Sequence, residues 1–276
     1  MKKIVALVLV LLLVPSVCMG AEKEVLLGIL SKMGITEEKF NTDLAESSEL
    51  KIFSAFKFFD TLNSMLTTFD SGRIAAFSVD SYTASYLLSR TDQYALFRPS
   101  GVPVYDLNFS MLLREEDGEL CGRISSAIRD IKTDGTLETL KKKYIDDCIA
   151  GTDPEAVKPE QFDGVQTLKV ALTGDRPPMD YISAAGQPIG FNTALVSEIA
   201  RRLKMNAEFL SVDSGARAAA LSSKMCDAVF WSELGDFNNR EGYDKEDMPE
   251  HTIITESYLG GEVMYVTLSS SPLVQK

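Results

Sequence analysis

The feature that most constrains this chain is an alternation of short apolar runs with helical repeats that occurs twice, with a break in between. Between Val25 and Phe97, "VLLGIL", "LKIFSAF", "IAAFSVD" and "YALF" have the length and the β-branched or aromatic content of buried strands. The segments between them have helical period: "TEEKFNTDLAE", then Phe59, Leu62, Leu66 and Phe69, then "SYTASYLLSR". From Leu168 the alternation restarts. "LKVAL", "AEFLSV" and "DAVFW" read as strands, and "FNTALVSEIARRL" (Leu195, Ile199 and Leu203 on one face) and "ARAAALSSK" as helices. Strands that alternate with helices predict parallel α/β layers, so two such units are expected. The stretch between them, "GTDPEAVKPEQFDG" over Gly151 to Gly164, is rich in Pro, Gly and acids and has no apolar period, which predicts a linker.

The chain opens with Lys2 and Lys3, an apolar run from Ile4 to Val14, then Pro15 and small residues around Gly20 and Ala21. This is the layout of a cleaved secretory signal over residues 1–20. The run is about half the ~20 apolar residues that a membrane-spanning helix needs, so a periplasmic or extracellular protein is expected. Cys18 would suit a lipoprotein, but Pro15 and Val17 stand where a lipobox wants an aliphatic and a small residue. Forty acidic against 28 basic side chains, a net charge of −12, argue against nucleic acid or anionic lipid as partners. An apolar fraction of 45% is enough for real cores in both units.

Three further cysteines are Cys121, Cys148 and Cys226. Cys121 precedes a helical pattern (Ile124, Ile128, Ile131), "TDG" at Thr133 to Gly135 breaks it, and a second pattern (Leu137, Leu140, Tyr144) leads to Cys148. Two antiparallel helices on a short turn would bring Cys121 and Cys148 together, so a disulfide and two free thiols both stand as readings. Cys226, inside "MCDAVFW", reads as a small buried hydrophobe. No metal-ligand spacing occurs among these residues, and no cofactor is expected.

The stretch "LKVALTGDRPPMDYISAAGQPIGFNTALVSEIARRL" resembles the first strand, ligand loop and first helix of the family 3 extracellular solute-binding proteins. "DAVFW" and "ITESYLGGEVMYVTL" resemble that family's next strand and the strand leaving its first lobe through the hinge. "FDSGRIAAFSVDSYTASYLLSR" is similar to its second-lobe strand and helix, "DLNFSMLLREED" to the returning hinge strand, and "ISSAIRDIKTDGTLETLKKKYI" to its closing helix pair. The resemblance implies a two-lobed α/β fold of the type II periplasmic-binding-protein kind, circularly permuted, with the ligand cleft between the lobes. Residues 22–112 would form the family's second lobe with a hinge strand, 113–150 a helix pair packing back on the other lobe, 151–164 the linker, and 165–276 the first lobe with its hinge strand. The termini would then fall near the hinge, and the protein would be a monomer. Permutation is tolerated where the original ends are close and exposed.

The implied function is capture of a small polar solute, an amino acid or a related carboxylate or amine, by lobe closure, with a membrane ABC permease or receptor as partner. A sensing module acting on a membrane receptor is the alternative; a third is a cyclohexadienyl dehydratase-like enzyme, for which no acid and base pair can be assigned. Ligands in such sheets bind beyond the carboxyl ends of the strands, which points to Thr173, Asp175 and Arg176 after "LKVAL", Trp231 and Ser232 after "DAVF", and Asp80 after "AFSV". Asp80 matches the family's ammonium-binding aspartate and equally suits the N-cap of "SYTASYLL". Arg176 replaces a common aromatic and could clamp a carboxylate or stay solvated. Ser214 also stands where an aromatic is frequent. Arg240 is a weak candidate for the family's carboxylate-binding arginine, and His251, the single histidine, reads as exposed.

Overall fold

A computed structural model of the chain describes residues 25–46, 52–99, 102, 104–234 and 247–275. The expected signal segment, Cys18 and Arg240 lie outside the described residues. The N-terminal half consists of β1 (Leu26–Leu30), α1 (Glu37–Glu46), β2 (Ala55–Phe59), α2 (Leu62–Asp70), β3 (Ala76–Asp80), α3 (Ser81–Arg90) and β4 (Tyr94–Phe97). The long strand β5 (Asp106–Arg114) follows, then α4 (Gly118–Thr133) and α5 (Thr136–Lys141), which continues through a π turn over Lys142–Asp146 into α6 (Asp147–Ile149). The C-terminal half contains β6 (Thr167–Leu172), β7 (Asp175–Arg176), β8 (Asp180–Ile182), β9 (Pro188–Ile189), α7 (Phe191–Leu203), β10 (Asn206–Ser211), α8 (Arg217–Ser222), β11 (Ala228–Leu234), β12 (Thr252–Ile254) and β13 (Leu259–Leu268).

The main sheet runs β10-β6-β11-β5-β13-β3-β1-β2, with β12 beside β5 and β4 beside β13. Its two ends share one plan. Each has three parallel strands with the earliest in the middle, β10-β6-β11 and β2-β1-β3, followed by an antiparallel strand that comes from the other half of the chain. Thus β5 closes the C-terminal set, β13 closes the N-terminal set, and the two pair with each other over Asp106–Phe109 and Leu259–Glu262. This exchange makes a two-lobed α/β fold of the periplasmic-binding-protein kind.

Local sequence explains the elements. In α4 the residues Cys121, Ile124, Ile128 and Ile131 recur every three to four positions and are all buried, facing Phe191, Leu195 and Ile199 of α7 and the β5 and β6 side chains in one core. Burying each such aliphatic side chain contributes about 1.5–3 kcal/mol. In the other lobe, Leu62, Met65 and Phe69 of α2 pack on Phe77 and Val266. The Thr61 hydroxyl accepts the Ser64 N–H and sets where α2 begins. The strand read from "LKIFSAF" therefore starts later, at Ala55, and takes in Phe59, which the helical spacing had assigned to α2.

One expectation is corrected here, and one open choice is decided. The first and last described strands do not begin and end near the hinge. Leu27 pairs with Ala76 and Val266 with Phe77, so the start of β1 and the end of β13 lie at the outer end of a sheet whose other end carries Asp80. Of the two readings left open for Cys121 and Cys148, the bridge is the one set aside: both are buried free thiols, as is Cys226. The Cys121 sulfur lies 3.5 Å from the Ile254 carbonyl beside β12, whereas Cys148 lies 3.7 Å from the Tyr181 hydroxyl and offers its carbonyl to Arg90 of α3. After the turn the second helix crosses toward α3 instead of running back along α4, and that direction separates the sulfurs.

Candidate functional site

The carboxyl ends of β1 and β3 face those of β6 and β11 across the seam between the lobes. Asp80 ends β3 and is 4% exposed. One carboxylate oxygen accepts the N–H groups of Tyr82 and Thr83, which caps α3; the other accepts the Thr83 hydroxyl and, at 2.8 Å, Arg176 from the opposite lobe. A carboxylate has about four acceptor sites, so the chain's own donors saturate Asp80. The N-cap reading holds, and the lone pairs expected to take a ligand ammonium are occupied.

Arg176 is held by its hairpin. Buried Asp180 on β8 accepts the N–H groups of Thr173 and Gly174, the Thr173 hydroxyl and the Asn192 side-chain amide. This carboxylate folds the loop after β6 and presents Arg176 to Asp80. Thr173 is consumed in that role and does not border the cavity described below. Asp175 turns instead to the N-terminus of α2, where one oxygen accepts the Asn63 N–H at 3.1 Å and the other, though buried, has no partner. Burial pushes the Asp175 carboxyl above its usual range.

Further polar contacts cross the seam. The Ser214 N–H donates to the Asp60 carbonyl, and Gly215 lies so close to Asp60 that a Cβ there would meet Oδ1 at 2.7 Å. Asp247 accepts the N–H groups of Met33 and Gly34 through one oxygen and the Trp231 indole at 3.3 Å through the other. His251 is exposed, 3.6 Å from Glu115, and remote from these groups.

Between the lobes lies a cavity of about 300 Å³, bordered by Asp80, Arg176, Arg217, Trp231, Ser232 and Asp247 at its polar end. Its other walls include Leu27, Ile29, Phe56 and Tyr265. Small-molecule sites span about 300–1,000 Å³, so there is room for one small ligand. Of the residues singled out in the sequence, Asp80, Arg176, Trp231 and Ser232 meet here, and Thr173 and Asp175 stand behind them. Trp231 is both core and wall, 3% exposed and packed with Val229 and Leu112. Sequence reasoning missed Arg217 and Asp247. Arg217 sits among alanines in "ARAAALSSK", where an amphipathic helix would turn an arginine to solvent. Among the described residues no group of three His, Cys, Asp or Glu side chains is placed to hold a metal ion, and no helix is long and apolar enough to cross a membrane.

Two lobes exchanging strands around such a cleft define the periplasmic-binding-protein class. Residues 168–241, from β6 into the segment after β11, match the model of the bacterial extracellular solute-binding proteins, family 3. No curated protein matches the chain. Solved structures similar to it include the GluR0 ligand-binding core from Nostoc punctiforme in complex with L-glutamate (12% identity, 91% of this chain and 88% of that one, TM-score 0.38). Others are the BvgS VFT2 domain of Bordetella pertussis, as a double mutant (14%, 90% and 82%, 0.39), and the ligand-binding component of an ABC-type import system from Staphylococcus aureus with zinc bound (10%, 87% and 65%, 0.38).

Proposed function

We propose that the chain is an extracytoplasmic binding protein, exported to the periplasm or cell exterior, that captures a small polar solute by lobe closure and presents it to a membrane ABC permease or receptor. The supporting observation is the cavity on the seam: Arg217, Trp231 and Ser232 reach it from one lobe and Asp80 and Ile29 from the other, so an occupant would touch both. A ligand held by both lobes favours the closed arrangement by its differential contacts. The solute is an amino acid or a related carboxylate or amine. The family segment begins at residue 168, after the elements that complete the other lobe, which fits a permuted order with residues 22–112 as second lobe, 113–150 as closing helices, 151–164 as linker and 165–276 as first lobe.

The test is thermal unfolding of the purified mature chain against a panel of amino acids, carboxylates and amines. A ligand at 100 times its Kd stabilises by about 2.7 kcal/mol, which is readily seen as a raised Tm. A panel without a single shift would end the binding-protein assignment. Light scattering should give a monomer; a strand-swapped dimer would contradict the permuted single-chain arrangement.

A further inference from the structure

Arg217 is a buried cation to which no carboxylate among the described residues is hydrogen-bonded. Its guanidinium donates from Nε to the Ser214 carbonyl (3.0 Å), from one terminal nitrogen to the Phe230 carbonyl (2.7 Å), and from the other to the Ser31 carbonyl (3.5 Å) across the seam. A guanidinium has five N–H groups, so among the described residues two find no acceptor. Among the described residues no Asp or Glu stands within 4.0 Å of it, whereas Arg176 has Asp80. Asp247 borders the same cavity but already accepts from Met33, Gly34 and Trp231. The energetic sign of this charge is consistent with the geometry: burial, with the nearby Arg176 charge second, pulls the Arg217 pKa down to about 10. A buried charge without a paired counter-charge costs several kcal/mol, and an anion brought to it recovers part of that cost.

The rest of the cavity decides the remainder of the ligand. Asp80 has no acceptor capacity left for an ammonium group; Lys32, Ser31 and Ser78 also border the cavity, Lys32 adding positive charge, and the other walls include Leu27, Ile29, Phe56, Val263 and Tyr265. We infer that the solute is a small amphiphilic monocarboxylate without an α-ammonium group, its carboxylate on Arg217 and its aryl or alkyl body against the walls from β1, β2 and β13. The inference rests on the proposed binding function and narrows its ligand class.

Trp231 borders the cavity and is the only tryptophan, so its fluorescence reports occupancy directly. The probes are 3-phenylpropionate, hexanoate, 3-phenylpropanamide, 2-phenylethylamine and phenylalanine, titrated into the mature chain by fluorescence and calorimetry. Charge-assisted hydrogen bonds contribute about 1.5–3 kcal/mol each, so 3-phenylpropionate should bind at least about tenfold more tightly than its amide, and the amine not at all. Arg217→Lys should weaken the carboxylate by about tenfold, and Arg217→Met should abolish its preference over the amide; where a variant does not fold, the probe series on the parent chain decides between the ligand classes. Phenylalanine binding as tightly as 3-phenylpropionate, or the amine binding, would overturn the ligand class and leave the binding function standing. The same follows if these probes fail while another solute of the broad panel binds. Failure of every solute would remove both.

Discussion

Two arginines on one seam have opposite fates. Arg176 spends its charge on Asp80, a carboxylate 2% exposed in its side chain, and ties the hairpin of one lobe to the strand end of the other. Among the described residues the hydrogen-bond partners of Arg217, buried on the same cavity, are backbone carbonyls. The first charge is paired within the chain, although its buried Nε has no partner; the second has no Asp or Glu within 4.0 Å among the described residues.

The largest effect should come from breaking the completed pair. Arg176→Met leaves Asp80 buried with one charge uncompensated and should cost about 3–5 kcal/mol, measured by urea unfolding. Arg217→Met, without ligand, should cost clearly less, since it removes an uncompensated charge while orphaning three carbonyls, and the comparison fails if the two losses are equal. Gly215→Ala places a Cβ against the tip of the exposed Asp60 side chain, which can turn aside, and should lower stability by no more than about 0.5 kcal/mol, measured by the same urea unfolding; a loss of several kcal/mol would show that the Asp60 carboxylate is held rigidly at the seam.

The smallest effect depends on pH. Asp175 has a raised folded pKa, so its contribution is present at low pH and is lost as pH rises through the folded pKa. Asp175→Asn keeps an acceptor for the Asn63 N–H without the charge. Its Tm should exceed the parent's at neutral pH, with the gap closing below the ordinary aspartate pKa of about 3.9. A constant gap across that range would show that charge is not the cause.

Much of the fold was legible because it is written locally. "FNTALVSEIARRL" folds as α7 over those same residues, and "SYTASYLLSR" as α3 with Asp80 as its cap. The strand at β2 was misplaced because Phe59 satisfies a strand's alternation and a helix's spacing equally well, and the Thr61 cap decided between them. The cysteines stayed open between a bridge and free thiols for a different reason. Periodicity gives a helix its faces but not the direction it takes after a turn, and α6 heads for α3.

Of the site, the strand ends were legible, since Asp80, Arg176, Trp231 and Ser232 all follow from position alone. Their relations were not. Asp80 and Arg176 are 96 positions apart, and Arg217 and Ser31 are 186 apart. By itself the sequence determined two α/β units, their helix faces and which loops end at the cleft, because hydrophobic period and capping act over a few residues. Only the tertiary structure decided that Asp80 is spent on Arg176 and that Arg217 is buried with no Asp or Glu of the described residues within 4.0 Å, because charge pairing and desolvation depend on which distant strand ends are packed together.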